Sequence, residues 1–129
     1  MCIKLVDDKT HVHNCTLYYI IFVVLDIPVV LVKSTSYITQ IHEDVVLHCE
    51  VQFGSSVEYL YWQHNYLNIT VDNNTRYSSG TKDSPSLTIH NIIYDDTGYY
   101  TCKVFSRSGT GTSLFINLTV AGDGVGKFV

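Results

Sequence analysis

Apolar and polar residues alternate in short runs along most of this chain, and the runs are separated by turn-forming residues. Over residues 44–51, Val45, Leu47, Cys49 and Val51 share one face. Over 59–64, Leu60 and Trp62 point one way; over 86–92, Leu87 and Ile89 do; over 99–105, Tyr100, Cys102 and Val104 do. The run 112–120 places Leu114, Ile116, Leu118 and Val120 together. A period of two marks a strand with one buried face. Residues 27–32 read as a first edge strand that tolerates Pro28, and 66–69 and 76–78 as brief strands. Gly54-Ser55-Ser56, Asp72-Asn73-Asn74 and Ser108-Gly109-Thr110-Gly111 supply turn signals. No long stretch follows the 3.6-residue period of a helix. Residues 27–120 are therefore expected to form one all-β domain.

The flanks differ. Residues 1–26 begin polar and then run apolar from Leu17 to Leu25 before Asp26 and Pro28 interrupt. A membrane helix needs about 20 apolar residues, so an anchor fits poorly. A partial signal-like core, and a linker or artefact upstream of the domain, are the other readings. Residues 121–129 carry three glycines and read as a flexible tail or linker.

Composition narrows the function classes. The chain has 129 residues, 46% apolar and 16% charged, too apolar for disorder. Net charge is −4 with eight Lys plus Arg and no basic cluster, so nucleic acid is not an expected partner. Four cysteines are unusual for a reducing compartment unless metal or catalysis explains them. Asn14, Asn68, Asn73 and Asn117 each open an N-x-[ST] sequon. Together these features point to the secretory pathway and an extracellular or cell-surface location.

Cys49 lies fifty-three positions before Cys102, Trp62 stands between them, and Asp96-Thr97-Gly98-Tyr99-Tyr100-Thr101-Cys102 closes the pattern. This resembles the immunoglobulin superfamily, over about residues 27–120. The spacing is similar to that of the intermediate set, and the stretch resembles immunoglobulin repeats of cell-adhesion and hemicentin-like proteins. The resemblance implies a two-sheet Greek-key β-sandwich with one inter-sheet disulfide, Cys49–Cys102. Such a bond, closing a loop of this length, stabilises by about 4 kcal/mol. The resemblance also implies that Trp62 packs on the bridge and that Tyr100 ties its hydroxyl to a nearby backbone group. It further implies an Arg76–Asp96 ion pair at the sandwich end, worth at most about 1 kcal/mol if exposed. Leu60, Leu87 and Ile89 complete the expected core.

Catalytic and metal chemistry find little support. No G-x-S-x-G, H-E-x-x-H or phosphate-cradling glycine loop is present. Cys2, His11, His13 and Cys15 match no standard zinc spacing. No enzyme activity, cofactor, metal or small-molecule substrate is expected, and membrane attachment only through parts outside this chain.

Alternation also defines an outward face. If Leu60, Trp62, Tyr100 and Cys102 point in, then Tyr59, Tyr61 and Tyr99 point out, as does Phe115 on the last strand. These strands are neighbours in the fold that the resemblance implies, so the four aromatics are a candidate binding face. The alternative is that outward tyrosines only stabilise cross-strand pairs. Asn117 lies on the same face, where a glycan would shield part of it. The expected partner is another protein, through homophilic or heterophilic contact, and the expected role is a recognition or adhesion module. A spacer repeat of a large matrix protein, and a secreted immune-recognition domain, are the alternatives.

Overall fold

The structure is a computed structural model that describes residues 27–52, 57–71 and 76–122. Expectations for residues 1–26 and for the sequons at Asn14 and Asn73 lie outside the described residues.

Among the described residues, eleven strands form two layers. In chain order they are β1 (Val29–Val32), β2 (Ser36–Gln40), β3 (Val45–Leu47), β4 (Cys49–Gln52), β5 (Val57–His64) and β6 (Leu67–Asn68). They continue with β7 (Tyr77–Ser79), β8 (Leu87–Ile89), β9 (Gly98–Ser106), β10 (Gly109–Thr112) and β11 (Ile116–Ala121). A 3-10 turn, Tyr94–Asp96, precedes β9. One layer joins β3-β8-β7 to β1-β4, because β3 and β4 are halves of one run broken at His48. The other is six-stranded, in the order β2-β11-β9-β5-β6, with β10 also on β9. All pairings are antiparallel except β2 with β11. Two-residue alternation buries one face of each layer against the other.

The core lies between the layers. Trp62, Tyr100, Leu87 and Ile89 are fully buried, Leu60 nearly so, and they pack with Leu47, Val104, Ile116 and Leu118. The indole N–H of Trp62 donates to the Pro85 carbonyl at 2.8 Å, so burying it strands no donor.

Two readings need correction. The expected disulfide is not formed. Cys49 and Cys102 face each other across the layers as buried thiols, their Sγ atoms 2.8 Å apart, whereas a disulfide spans about 2.05 Å. Closing the bond would remove two electrons and two protons from this pair. Leu114, expected to point inward, is exposed. The run 112–120 is broken between β10 and β11, and the break shifts the phase of alternation so that both Leu114 and Phe115 face solvent.

The strand breaks fall beside the two cysteines, and serine hydroxyls fill the gaps. Ser86 Oγ accepts from the Cys49 N–H at 3.0 Å where β3 gives way to β4. Ser113 Oγ accepts from the Cys102 N–H at 3.0 Å where β10 gives way to β11. Interruptions in a buried ladder leave donors that must find partners, and each serine supplies one.

Candidate recognition face

The outward surface of the six-stranded layer carries several aromatic side chains. Strand β5 pairs with β9 so that Tyr59 is opposite Phe105, Tyr61 opposite Lys103 and Gln63 opposite Thr101. Residues opposite each other share a face. The structure places Tyr59, Tyr61, Tyr99 and Phe115 in two groups rather than one. Tyr59 stacks on Phe105 with ring centroids 5.0 Å apart, and Tyr61 lies 5.9 Å from Tyr59. At the other end Phe115 makes edge contacts with Tyr99 at 5.9 Å and Tyr66 at 5.8 Å. Thr101, buried among its neighbours, and Gln63 separate the groups.

Sequence reasoning missed Phe105 and Tyr66. The alternation that turned Tyr99 outward also turns Phe105 outward. Tyr66 gives no comparable signal, because its position depends on a two-residue turn. Asn65 and Tyr66 both have positive φ, 49° and 73°, as a tight hairpin turn between β5 and β6 requires.

That turn is pinned from β9. Asn65 N–H donates to the Tyr99 carbonyl at 2.8 Å, and the Tyr99 N–H donates to Asn65 Oδ1 at 3.0 Å. Gly98 makes the second contact possible. Its φ is +146°, and a Cβ there would lie 2.6 Å from Asn65 Oδ1 and 2.8 Å from the His64 ring. The missing side chain thus lets the turn approach β9 and sets Tyr66 beside Phe115.

Behind the face, a buried polar cluster ties down the corner before β9. The Tyr100 hydroxyl donates to the Asp96 carbonyl. Arg76 donates to Asp96 Oδ2, which also accepts from the Ile93 N–H at 2.8 Å. The Asp96 side chain is only 6% exposed and that of Arg76 31%, so the pair is more buried than an exposed rim pair. Burial, and then the Asp96 charge, pushes the Tyr100 phenol far above the ordinary tyrosine value. The hydrogen bond with Cys49, followed by burial, raises the Cys102 thiol.

The remaining sequon residues lie on the same outward surface. Asn117 is exposed on β11, opposite Tyr99. Asn68 is exposed on the edge strand β6, opposite Gln63, whose Nε2 donates to its Oδ1 at 2.9 Å. Among the described residues no cluster of His, Cys, Asp or Glu converges for a metal, and no helix is long and apolar enough to cross a membrane.

Comparison with known proteins places this geometry. The immunoglobulin-domain family model matches residues 27–105, more than half of the chain. The structure of the tandem Ig repeats of Dlar is 27% identical, with a TM-score of 0.61, covering 74% of this chain and 48% of that one. The N-terminal Ig1-2 module of the Drosophila receptor protein tyrosine phosphatase DLAR is 25% identical, with a TM-score of 0.60, covering 74% and 47%. The N-terminal four Ig domains of Dscam1 isoform 7.44 share the fold at 15% identity and a TM-score of 0.59, covering 74% and 21%. This chain thus spans about half the length of the Dlar structures and a fifth of the Dscam1 one. No curated protein sequence matches it. The chain belongs to the immunoglobulin domain family, and its fold is similar to the Ig repeats of Dlar and Dscam1.

Proposed function

We propose that this domain is an extracellular protein-recognition module of a receptor or adhesion protein. It acts by surface complementarity, without catalysis. The observation that carries this reading is the outward group in which the exposed Tyr59 stacks on the half-buried Phe105 and touches the half-buried Tyr61, beside Lys103 on the six-stranded layer. Aromatic side chains with a nearby cation are typical interface anchors, because they bury large area with few rotatable bonds. Similarity to the Ig repeats of a receptor phosphatase supports the same reading. The Cys49 and Cys102 thiols face each other within reach of a bridge, which an oxidising compartment would close.

A multimerised form of the domain is expected to stain the surface of cells from its own organism. The double variant Tyr59→Ala, Phe105→Ala should reduce that staining by about tenfold or more, the loss from truncating one or two anchors. Equal staining by the variant rules this face out as the contact. Mass mapping of protein from its natural source should find Cys49 joined to Cys102. Two free thiols in that material would overturn the extracellular assignment.

A further inference from the structure

We propose that the aromatic group formed by Phe115, Tyr99 and Tyr66 is the seat of an N-linked glycan on Asn117, whose first sugar covers these rings. The inference rests on the extracellular reading above, and it divides the outward face into a sugar-covered end and a protein-binding end.

The sequon Asn117-Leu118-Thr119 lies in strand β11. Asn117 and Thr119 are both exposed on the outward side, while Leu118 between them is fully buried. Phe115 precedes Asn117 by two residues and faces the same solvent, 49% exposed. Tyr99 is the registered cross-strand partner of Asn117 and is 53% exposed. Residues directly opposite in an antiparallel pair have Cβ atoms about 5 Å apart. A sugar on Asn117 Nδ2 therefore starts beside the Tyr99 ring with the Phe115 ring next to it. Tyr66, Tyr99 and Phe115 line an open cleft of about 330 Å³ at this place. Ser36, the partner of Asn117 on its other side, is small and leaves room.

The chemistry matches. One face of N-acetylglucosamine presents axial C–H groups, which pack on the electron-rich face of an aromatic ring. Exposed rings in a contiguous patch call for a cover. A sugar tethered beside the patch reaches it as an intramolecular ligand at high effective concentration. In forming the link, a lipid-linked diphosphate oligosaccharide is the donor. Its anomeric C–O bond to phosphate breaks, the C–N bond to Asn117 Nδ2 forms, one amide proton leaves, and the lipid diphosphate departs.

The test expresses the full chain behind a cleavable secretory leader in a eukaryotic host, with Asn14, Asn68 and Asn73 changed to Gln. Supplying the leader separates this question from the natural route of the protein. Endoglycosidase trimming then leaves a single N-acetylglucosamine on Asn117. The trimmed form should melt about 4 °C or more above the Asn117→Gln form, the shift expected for one modest contact in a domain of this size. That difference should vanish in Phe115→Ala and fall in Tyr99→Ala. Both rings are half-exposed, so these variants keep the fold. In the otherwise unaltered protein, the sugar's ring and N-acetyl protons should move upfield and show nuclear Overhauser contacts to the Phe115 or Tyr99 ring. An unoccupied Asn117, an equal glycan effect with and without Phe115, or sugar protons at free-solution shifts would each overturn the proposal. None of these outcomes bears on whether Tyr59 and Phe105 bind a partner.

Discussion

At the residue scale, Tyr100 shows how one side chain serves both core and corner. It is fully buried, stacks on His64 at 4.2 Å and donates to the Asp96 carbonyl. Tyr100→Phe keeps the ring but leaves that carbonyl unpaired, at a cost of about 1–3 kcal/mol in chemical denaturation. Its raised phenol value also has a pH consequence. The folded state keeps the proton that the unfolded chain releases above about pH 10. The stabilisation is complete below that pH and is lost as pH rises further. Alkaline unfolding should therefore begin above pH 10, and its slope should lessen in Tyr100→Phe. Asp96→Ala removes the acceptor of both Arg76 and the Ile93 N–H, and about 3 kcal/mol is the expected loss for a largely buried pair. Tyr66 illustrates the opposite balance. A bulky residue at φ 73° carries strain. Tyr66→Gly should stabilise the hairpin by up to about 1 kcal/mol while removing a ring from the proposed sugar seat. Tyr100 and Trp62 were legible from their motif. Tyr66 was not, because nothing in the local pattern announces two left-handed residues in a turn without glycine.

At the element scale, strands with uninterrupted alternation were legible and the irregular ones were not. The faces of β5 and β9 follow from the period of two. The parallel strand β2 did not stand out, because its partner β11 lies about eighty residues away and its own alternation, Ser36-Tyr37-Ile38-Thr39-Gln40, leaves Ile38 exposed and Thr39 buried. The break between β10 and β11 misled the reading of Leu114 for a related reason. A change of phase comes from where hydrogen bonds stop, and Ser113 marks that place only through its bond to Cys102. Ser113→Ala should cost about 1–3 kcal/mol by leaving the buried Cys102 N–H without an acceptor, measured as a lower denaturation midpoint. Ser86→Ala should cost less, because its contact with Cys49 is only partly buried. Oxidising the two thiols joins β4 to β9 and should raise stability by about 4 kcal/mol, read from paired denaturation curves with and without reductant.

At the scale of the whole molecule, the two layers have different duties. The layer of β1, β3, β4, β7 and β8 closes the core, while the six-stranded layer presents aromatic groups at its two ends. One of its edges is short, since β6 has only two residues. The pairing of β2 with β11 has a mechanical consequence. Tension applied upstream of Ser36 and downstream of Ala121 pulls these parallel neighbours in opposite directions along their length. Every bond between them is then loaded at once, in shear, instead of being peeled open one after another. A link of this kind yields late under traction, so a pull along the chain would have to break the whole row of bonds together before the domain unravelled.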